Sequence, residues 1–238
     1  MQLSVVVPAY NEEGRIRPTL ERIASHLAEL GQEHEILVVD DGSTDATVQV
    51  VGEIAASWPT VRILRQPENR GKGAAIRAGV LASTGEEVLF SDADLATPIE
   101  ELAKLRQHLQ GGCDIAIGSR AVTGADIRVR QSVLRMLMGK TFNRIVRLLV
   151  VPGISDTQCG FKLFRGAVAR ELFAESHVDG FAFDVEILLL ARGRYRVAEV
   201  PVVWRHVEES KVALGRHSSR MLLDVIRLRW RGRKRGAR

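Results

Sequence analysis

The chain has 238 residues, of which 45% are hydrophobic and 26% charged, and its formal net charge is +5. This is enough apolar material for one large domain to bury a core. The basic charge is concentrated at the C-terminus: positions 216–238 carry eight Arg and one Lys against one Asp, while the remaining residues hold 25 basic and 28 acidic groups. Charge therefore argues against a nucleic-acid-binding domain, and we predict no nucleic-acid partner.

The N-terminus and the cysteines indicate a cytoplasmic protein. Met1 to Pro8 runs directly into a strand pattern, without the charged start, apolar core and cleavage site of a secretory signal. No apolar run approaches the roughly 18 residues that a membrane-spanning helix needs. Cys113 and Cys159 lack the spacing of a metal or redox motif, so we expect reduced thiols.

Strand and helix patterns alternate through the first 120 residues. Short Val- and Ile-rich runs predict strands at 3–8, 35–39, 61–64 and 114–118, and another strand that follows Gly85 and ends at Asp92. Amphipathic periodicity predicts helices between them, at about 16–30, 48–55, 73–82 and 98–109. This alternation predicts the α/β class, with an open, doubly wound, mostly parallel twisted sheet and helices on both faces.

Polar clusters follow several of these strands. They are Tyr10-Asn11-Glu12, Asp40-Asp41, Asp92 with Asp94, and Ser119-Arg120. Any one cluster could be ordinary turn or cap chemistry. Ligands of open parallel sheets bind outside the carboxyl ends of the strands, so the recurrence of these clusters predicts one crevice.

Asp92 and Asp94 are the strongest candidates for a metal site. Carboxylate oxygens favour Mg²⁺ or Mn²⁺, and an ion held by one or two carboxylates keeps positions open for phosphate oxygens. The other interpretation is that Asp94 only caps the helix that Pro98 opens. A G-x-G-x-x-G motif does not follow the first strand, and Gly71-Lys72-Gly73 lacks the spacing of a P-loop. A nucleotide would therefore be held by carboxylates and by a metal at its diphosphate.

Four motifs of the first half resemble, in order, the signature of family 2 glycosyltransferases with the GT-A fold. They are Val5-Val6-Val7-Pro8-Ala9-Tyr10-Asn11-Glu12, Leu37-Val38-Val39-Asp40-Asp41-Gly42-Ser43, Asn69-Arg70-Gly71-Lys72-Gly73 and Ser91-Asp92-Ala93-Asp94. Motifs of the second half resemble polyprenyl-phosphate hexosyltransferases, particularly dolichyl-phosphate beta-glucosyltransferases. They are Asp156-Thr157-Gln158-Cys159-Gly160-Phe161-Lys162, Phe183-Asp184-Val185-Glu186 and Glu209-Ser210-Lys211. Leu95 stands where the glucosyl enzymes have Gly and is nearer the pattern of the related mannosyltransferases.

The resemblance implies a role for each matching residue. The nucleotide-binding residues would be Pro8, Tyr10, Glu12, Asp41, Lys72 and Asp92, and the metal ligands for Mg²⁺ or Mn²⁺ would be Asp92 and Asp94. Asp94 and Asp156 would be the catalytic carboxylates. Asp156 matches the proposed catalytic carboxylate of the family, and its residue type fits either a general base or a group that positions Lys and Arg side chains.

The implied reaction is inverting transfer of a hexose from a nucleotide sugar to a polyprenyl or dolichyl phosphate. The donor would be UDP-glucose, with GDP-mannose as the alternative. The acceptor could also be a different molecule. A further alternative is a protein without enzymatic activity, namely a membrane or RNA adaptor on the same fold. A phosphate monoester is already an anion near neutral pH, so it needs cations more than a base. Our candidates for these cations, each of which could instead form a surface ion pair, are Arg120, Arg130, Lys162 and Lys211.

We predict one domain in two halves and a tail. Residues 1–120 would bind the nucleotide sugar, residues 121–215 the acceptor, and 216–238 would form a basic amphipathic helix. Positions 128–152 contain six basic and no acidic residues among apolar ones, which predicts interfacial helices at about 131–151. Packed helices or a homodimer contact would give the same pattern. We expect a peripheral protein on the cytoplasmic face of a membrane.

Overall fold

The structure is a computed structural model, and it describes residues 1–127, 153–205, 224–225 and 227–228. Within these ranges the strands are β1 (Leu3–Ala9), β2 (His34–Asp40), β3 (Val61–Arg65), β4 (Glu87–Ser91), β5 (Ile115–Ser119), β6 (Asp126–Ile127), β7 (Phe161–Arg165), β8 (Val197–Pro201) and β9 (Val203–Trp204). The helices are α1 (Ile16–Glu29), α2 (Thr47–Ser57), α3 (Lys72–Ala82), α4 (Leu102–Gln110), α5 (Gly166–Glu175) and α6 (Phe183–Ala191). The predicted strands and helices of the first 120 residues are thus confirmed, except that the turn before α4, Ile99–Glu101, is a 3₁₀ helix.

Seven strands of the described chain form one sheet in the order β3-β2-β1-β4-β7-β5-β8, and β6 pairs with β9 beside it. The neighbours in this sheet are parallel except for β7, which runs antiparallel to both β4 and β5. The prediction of a mostly parallel sheet is therefore confirmed. The carboxyl ends of the parallel strands share one edge with the amino end of β7, because Ser91 pairs with Phe161.

Helices cover both faces of the sheet, as the alternation predicts. Side chains that alternate along β1 show the division: Val5 and Val7 belong to a core cluster with α1, α2 and α4, whereas Val6 belongs to a second cluster with α3, α5 and α6. Three aromatic rings of the second cluster pack together. The ring centroid of Phe90 lies 6.3 Å from that of Phe164 and 5.7 Å from that of Phe183. The sheet therefore lies between two apolar layers, and polar side chains are placed at its edges.

A buried carboxylate stabilises the edge of the sheet away from the predicted crevice. Glu35 in β2 is 2% exposed and accepts hydrogen bonds from the Ser4 hydroxyl (2.6 Å), the Thr84 backbone N–H (2.8 Å) and the Thr84 hydroxyl (2.8 Å). Arg62 adds an ion pair at 3.1 Å. Burial alone would raise the pKa of Glu35, but these hydrogen bonds and Arg62 outweigh it and hold the pKa below its usual value.

Glu35→Gln is expected to lower the free energy of unfolding at pH 7 by about 1–3 kcal/mol, because donors placed for a carboxylate lose their ionised acceptor. A depressed folded-state pKa gives stability that is present above the unfolded pKa and is lost as pH falls through the folded pKa. The difference between wild type and variant should therefore shrink below about pH 4. Urea unfolding from pH 3 to 7 measures it, with the exposed Glu33→Gln as control. A difference that is independent of pH would contradict the account.

The predicted membrane-facing segments lie almost entirely outside the described residues. This applies to the helices at about 131–151 and to most of the 216–238 tail. Of that tail the structure describes four residues, and two of them, Val225 and Leu228, are buried against the second core cluster. No helix in the described ranges combines the length and apolarity required to cross a bilayer.

Candidate active site

The turn that follows β4 carries Asp92 and Asp94 at the carboxyl edge of the sheet. The Asp92 backbone N–H donates to the Gly160 carbonyl (3.1 Å), and Asp94 Oδ1 accepts a hydrogen bond from the Ala96 N–H (3.0 Å). No side chain caps the helical turn that begins after Pro98, so Asp94 is not a helix cap. The capping interpretation is wrong, and both carboxylates lie in the turn that follows β4.

Leu95 completes this turn in an unusual backbone conformation. Its φ is +45°, in the left-handed region that costs a non-glycine residue roughly 1–2 kcal/mol. The Leu95 side chain packs, partly buried, against the first core cluster, which offsets some of that cost. A glycine would adopt this conformation without strain. The turn geometry is therefore compatible with either residue type, whichever sugar the protein transfers.

The electrostatics of the two carboxylates fit a divalent cation. Burial, and then the charge of Asp92, raise the pKa of Asp94 above its usual value. Two carboxylates that repel each other in a partly buried site are stabilised by a bound cation. In the part of the chain that the structure describes, no three His, Cys, Asp or Glu residues cluster as a complete metal cage. Two carboxylates with open positions nevertheless suit Mg²⁺ or Mn²⁺ when phosphate oxygens supply further ligands.

Lys72 connects the first turn of α3 to this carboxylate pair. Its Nζ lies 2.5 Å from Asp92 Oδ1. Burial would lower the pKa of Lys72, but the charges of Asp92 and Asp184 outweigh it and raise the pKa. The start of α3 is anchored in turn, because the Gly73 N–H donates to the Asp179 carbonyl at 2.8 Å. The ammonium is therefore charged and fixed beside the site.

Asp41 lies at the end of β2 and fixes the loop that leads to Lys72. Its two carboxylate oxygens accept hydrogen bonds from the backbone N–H groups of Arg70 (2.9 Å) and Gly71 (2.8 Å). Burial raises the pKa of Asp41 despite these bonds. Gly71 has φ +111°, and a Cβ there would lie 2.5 Å from the Asp179 carbonyl oxygen, so this loop requires glycine.

The loops after β1 and β2 are joined beside Asp41. The Asn11 N–H donates to the Ser43 hydroxyl (2.9 Å), and Asn11 Oδ1 accepts from the Thr44 N–H (2.8 Å). The preceding Tyr10 is 42% exposed, so its ring is accessible at the crevice. The other candidates nearby are Pro8, which pairs with Val39 in the sheet, and Glu12, whose carboxylate forms an ion pair with Arg15.

On the other side of β4, Arg120 and Asp156 form a bidentate ion pair. Arg120 Nε donates to Asp156 Oδ2 (2.7 Å), its Nη2 donates to Oδ1 (2.9 Å), and its backbone N–H also donates to Oδ2 (3.0 Å). Asp156 is 1% exposed. Its burial would raise its pKa, but Arg120 outweighs that effect and lowers the pKa. Asp156 is therefore an ionised anchor for the guanidinium.

Two more side chains support this pair. Glu199 in β8 accepts hydrogen bonds from the Ser155 N–H (2.9 Å) and the Asp156 N–H (2.8 Å), which fixes the loop that carries Asp156. The Arg120 guanidinium carbon lies 5.4 Å from the Trp204 ring centroid, a cation–π contact. Burial lowers the pKa of Arg120, whereas Asp156 and, more weakly, Asp92 raise it, with a net upward shift. The charge of Asp92 thus adds weakly to the stabilisation of the Arg120 guanidinium.

The remaining acceptor candidates are placed differently. Lys162 lies in β7, is 1% exposed, and forms an ion pair with the buried Asp184 of α6. Its contact with an acceptor phosphate stays a prediction. Arg130 and Lys211 lie outside the described residues. The sequence motifs contained Asp184 without indicating its function, and no local pattern indicated that Glu199 or Trp204 supports Arg120 and Asp156.

Comparison with known proteins establishes the family. Residues 4–173 match the family described as Glycosyl transferase family 2. The chain belongs to this family. As a family 2 glycosyltransferase it is an enzyme, as the motifs predicted.

This glycosyltransferase is similar to several curated proteins and solved structures. It is 40% identical to a dolichyl-phosphate beta-glucosyltransferase of Trichomonas vaginalis over 94% of this chain and 69% of that protein. It is 39% identical to the dolichyl-phosphate beta-glucosyltransferase of Saccharomyces cerevisiae, over 95% and 74% respectively. Glucosyl-3-phosphoglycerate synthase of Mycobacterium tuberculosis, in complex with Mn²⁺, UDP-glucose and phosphoglyceric acid, matches with TM-score 0.71 at 20% identity, over 96% of this chain and 79% of that one. The latter likeness concerns the fold alone, and it confirms the predicted GT-A architecture.

Proposed function

We propose that this glycosyltransferase moves glucose from UDP-glucose to a polyprenyl phosphate of the dolichyl type, with inversion at the anomeric carbon. The observation that carries the proposal is the arrangement at one sheet edge. A carboxylate pair suited to a divalent cation follows β4, and an arginine that a buried aspartate orients follows β5, whose carboxyl end lies at the same edge. The relatives at about 40% identity, whose names state beta-glucosyl transfer to dolichyl phosphate, support the same sugar and acceptor.

On the donor side, the nucleoside would lie against the joined loops after β1 and β2. Tyr10 offers a ring for the base, Asp41 holds the loop of Arg70 and Gly71 in place, and Pro8 and Glu12 shape the wall beside them. Asp92 and Asp94 would hold Mg²⁺ or Mn²⁺ at the diphosphate, with Lys72 beside Asp92. When bound, such an ion supplies Lewis-acid stabilisation of the departing nucleoside diphosphate.

On the acceptor side, Arg120 would bind the lipid phosphate. Asp156 occupies Nε and Nη2 of its guanidinium, while Nη1 has no hydrogen-bond partner among the residues that the structure describes. That leaves donors for a phosphate oxygen. Arg130, Lys162 and Lys211 are the further predicted cations. An acceptor anion attacks without prior deprotonation, so Asp156 need only orient Arg120.

A second candidate is a GDP-mannose-dependent polyprenyl-phosphate mannosyltransferase, which Leu95 favours. The experiment that separates the two is a panel of UDP and GDP sugars with Mg²⁺ or Mn²⁺ and a short polyprenyl phosphate. We expect a beta-linked glucosyl lipid phosphate from UDP-glucose. Product from GDP-mannose alone would establish the mannosyl assignment. Sugar release to water, with none to the lipid, would overturn the acceptor assignment and leave the donor site in place.

The lipid acceptor implies a peripheral position on the cytoplasmic face of a membrane. Basic residues of the 128–152 segment and of the 216–238 tail would contact anionic headgroups, each contributing about 1 kcal/mol near the surface. Co-sedimentation with anionic liposomes tests the contribution of the tail. A full-length variant with Arg231, Arg233, Lys234 and Arg235 changed to Gln keeps the buried Val225 and Leu228 and should bind less tightly than wild type; equal binding would contradict this role.

Asp156→Asn is expected to lower kcat/KM for the acceptor by about 10²-fold, because Arg120 loses the carboxylate that aligns it. The acid limb of the pH–rate profile should remain near pH 6 in both enzymes. That limb reports the second ionisation of the acceptor phosphate, with a pKa of about 6. Asp156, whose pKa lies below its usual value, is ionised throughout this range. Rates between pH 5 and 8 test this. If the limb disappears in the variant, Asp156 is the base.

A further inference from the structure

Two charged side chains lie in the middle of the second apolar layer. Lys162 and Asp184 are 1% and 4% exposed. The Lys162 ammonium donates to Asp184 Oδ1 and to the Cys159 carbonyl (2.7 Å), and it lies 5.0 Å from the centroid of the Phe90 ring. Replacing a buried ion pair with apolar residues of similar size is often neutral or stabilising. Stability alone therefore does not account for this pair.

We propose that Lys162 and Asp184 are positioning residues that fix the Asp92 carboxylate and the Lys72 ammonium for donor binding. This inference rests on the proposed donor site and deepens it. In this proposal Lys162 lies beneath the donor site and positions other side chains. This role differs from the predicted one, in which Lys162 contacts the acceptor phosphate.

The first link is through the backbone. Lys162 holds the Cys159 carbonyl, and the next residue, Gly160, accepts a hydrogen bond from the Asp92 N–H at 3.1 Å. Gly160 also lies against the Asp92 carboxylate, because a Cβ on it would lie 1.9 Å from Asp92 Oδ2. The 159–160 segment is therefore the wall that sets where the Asp92 carboxylate lies.

The second link is through charge. Lys162, Asp184, Lys72 and Asp92 alternate in sign from the core to the crevice, with direct ion pairs at both ends. Asp184 and Asp92 both attract the Lys72 ammonium. Without the Lys162–Asp184 pair, the Lys72 ammonium would lose one of the two carboxylates that hold it. Its position relative to Asp92 and Asp94 would then change.

The third link is through the start of α6. Glu186, in the same first turn as Asp184, accepts hydrogen bonds from the backbone N–H groups of His177 (3.0 Å) and Val178 (2.8 Å). The adjacent Asp179 carbonyl accepts from the Gly73 N–H at the start of α3. The first turns of α6 and α3 are therefore joined, and Lys72 keeps a fixed position relative to Asp184.

The test is the double variant Lys162→Met/Asp184→Leu, with binding of UDP or GDP in the presence of Mn²⁺ measured by calorimetry. The nucleotide used is the one that the wild type binds. We expect a thermal midpoint within a few degrees of wild type and a nucleotide affinity at least tenfold lower. Wild-type affinity in the folded variant would overturn the proposal. Unchanged nucleotide affinity with a raised KM for the acceptor would overturn it in favour of phosphate binding by Lys162.

Gly160→Ala tests the role of the 159–160 segment without removing a buried charge. It provides the test if the double variant does not fold. The added Cβ should displace the Asp92 carboxylate and lower nucleotide affinity at least tenfold, and wild-type affinity would refute the proposal.

The matched control for the double variant at Lys162 and Asp184 is Glu87→Leu/Arg106→Met. This pair, at 2.7 Å, lies at the opposite end of β4. An equal loss of affinity in that control would mean that the effect is not specific to Asp92, which also overturns the inference.

A separate measurement distinguishes this inference from the proposed function. If wild type binds nucleotide with Mn²⁺ but transfers no glucose to polyprenyl phosphate, the proposed function fails. The variants then still decide the positioning role through nucleotide affinity. If wild type binds neither UDP nor GDP, the donor site and the positioning role fail together.

Discussion

Asp94→Ala is expected to reduce kcat/KM for sugar transfer by about 10³-fold while leaving the protein folded. Removing a ligand of a divalent cation costs several kcal/mol of transition-state stabilisation, and each 1.4 kcal/mol is a tenfold change in rate. Asp94, like Asp92, is partly buried, and it accepts one hydrogen bond, from Ala96. Removing the Asp94 carboxylate therefore leaves only one backbone N–H, that of Ala96, without its acceptor. Initial rates across a Mn²⁺ titration measure the effect.

The control for this experiment is Asp114→Ala. Asp114 immediately precedes β5 at the opposite edge of the sheet and accepts a hydrogen bond from the Arg196 N–H at 2.8 Å. Its removal should change kcat/KM less than about twofold, since surface substitutions away from a site have small effects. If Asp94→Ala retains wild-type rates at every Mn²⁺ concentration, the assignment of Asp94 as a cation ligand is wrong.

Arg120→Ala is expected to have two large effects that a double variant can separate. The KM for the lipid phosphate should rise about 10²-fold or more, since the guanidinium that donates to the phosphate is removed. The protein should also lose about 3–5 kcal/mol of stability, because Asp156, 1% exposed, keeps a buried charge without its partner. Acceptor titrations and urea unfolding measure the two effects.

Arg120→Ala/Asp156→Asn removes the uncompensated charge. It should recover most of the lost stability but not the affinity for the acceptor. Arg194→Ala is the matched control, because Arg194 also lies over an aromatic ring, that of Tyr195 at 5.5 Å, on the exposed surface. A double variant that regains acceptor affinity would show that Arg120 acts only through the stability of the Asp156 loop.

The sequence was most informative where a strand is buried on both faces. The apolar runs of β1, β2 and β4 are continuous, and each strand is followed by the carboxylates or polar loop residues that the structure brings to one edge. Parallel strands place such ends together whatever the details of packing. The position of Asp92 and Asp94 at this edge was therefore predictable from the strand pattern, together with the positions of the loops that carry Tyr10 and Asp41.

Partners distant in sequence were not predictable in this way. Lys162 in the β7 sequence has the residue type expected of a phosphate ligand, and only the tertiary fold brings it to Asp184, 22 positions away. The same holds for Arg120, which meets Asp156 across 36 positions and Trp204 in a different strand. Periodicity describes which face a side chain occupies. It does not describe which charge compensates it there.

The antiparallel insertion of β7 has a consequence for biosynthesis. Because β7 lies between β4 and β5, these two strands are not joined by backbone hydrogen bonds until residues 161–165 are in place. A nascent chain that has emerged only as far as β5 would leave one edge of β4 and both edges of β5 without the strands that pair with them in the folded sheet, and it would lack the wall beside Asp92. Such long-range pairing favours late, slow assembly. Donor affinity should therefore arise only after the chain has left the ribosome as far as Asp184.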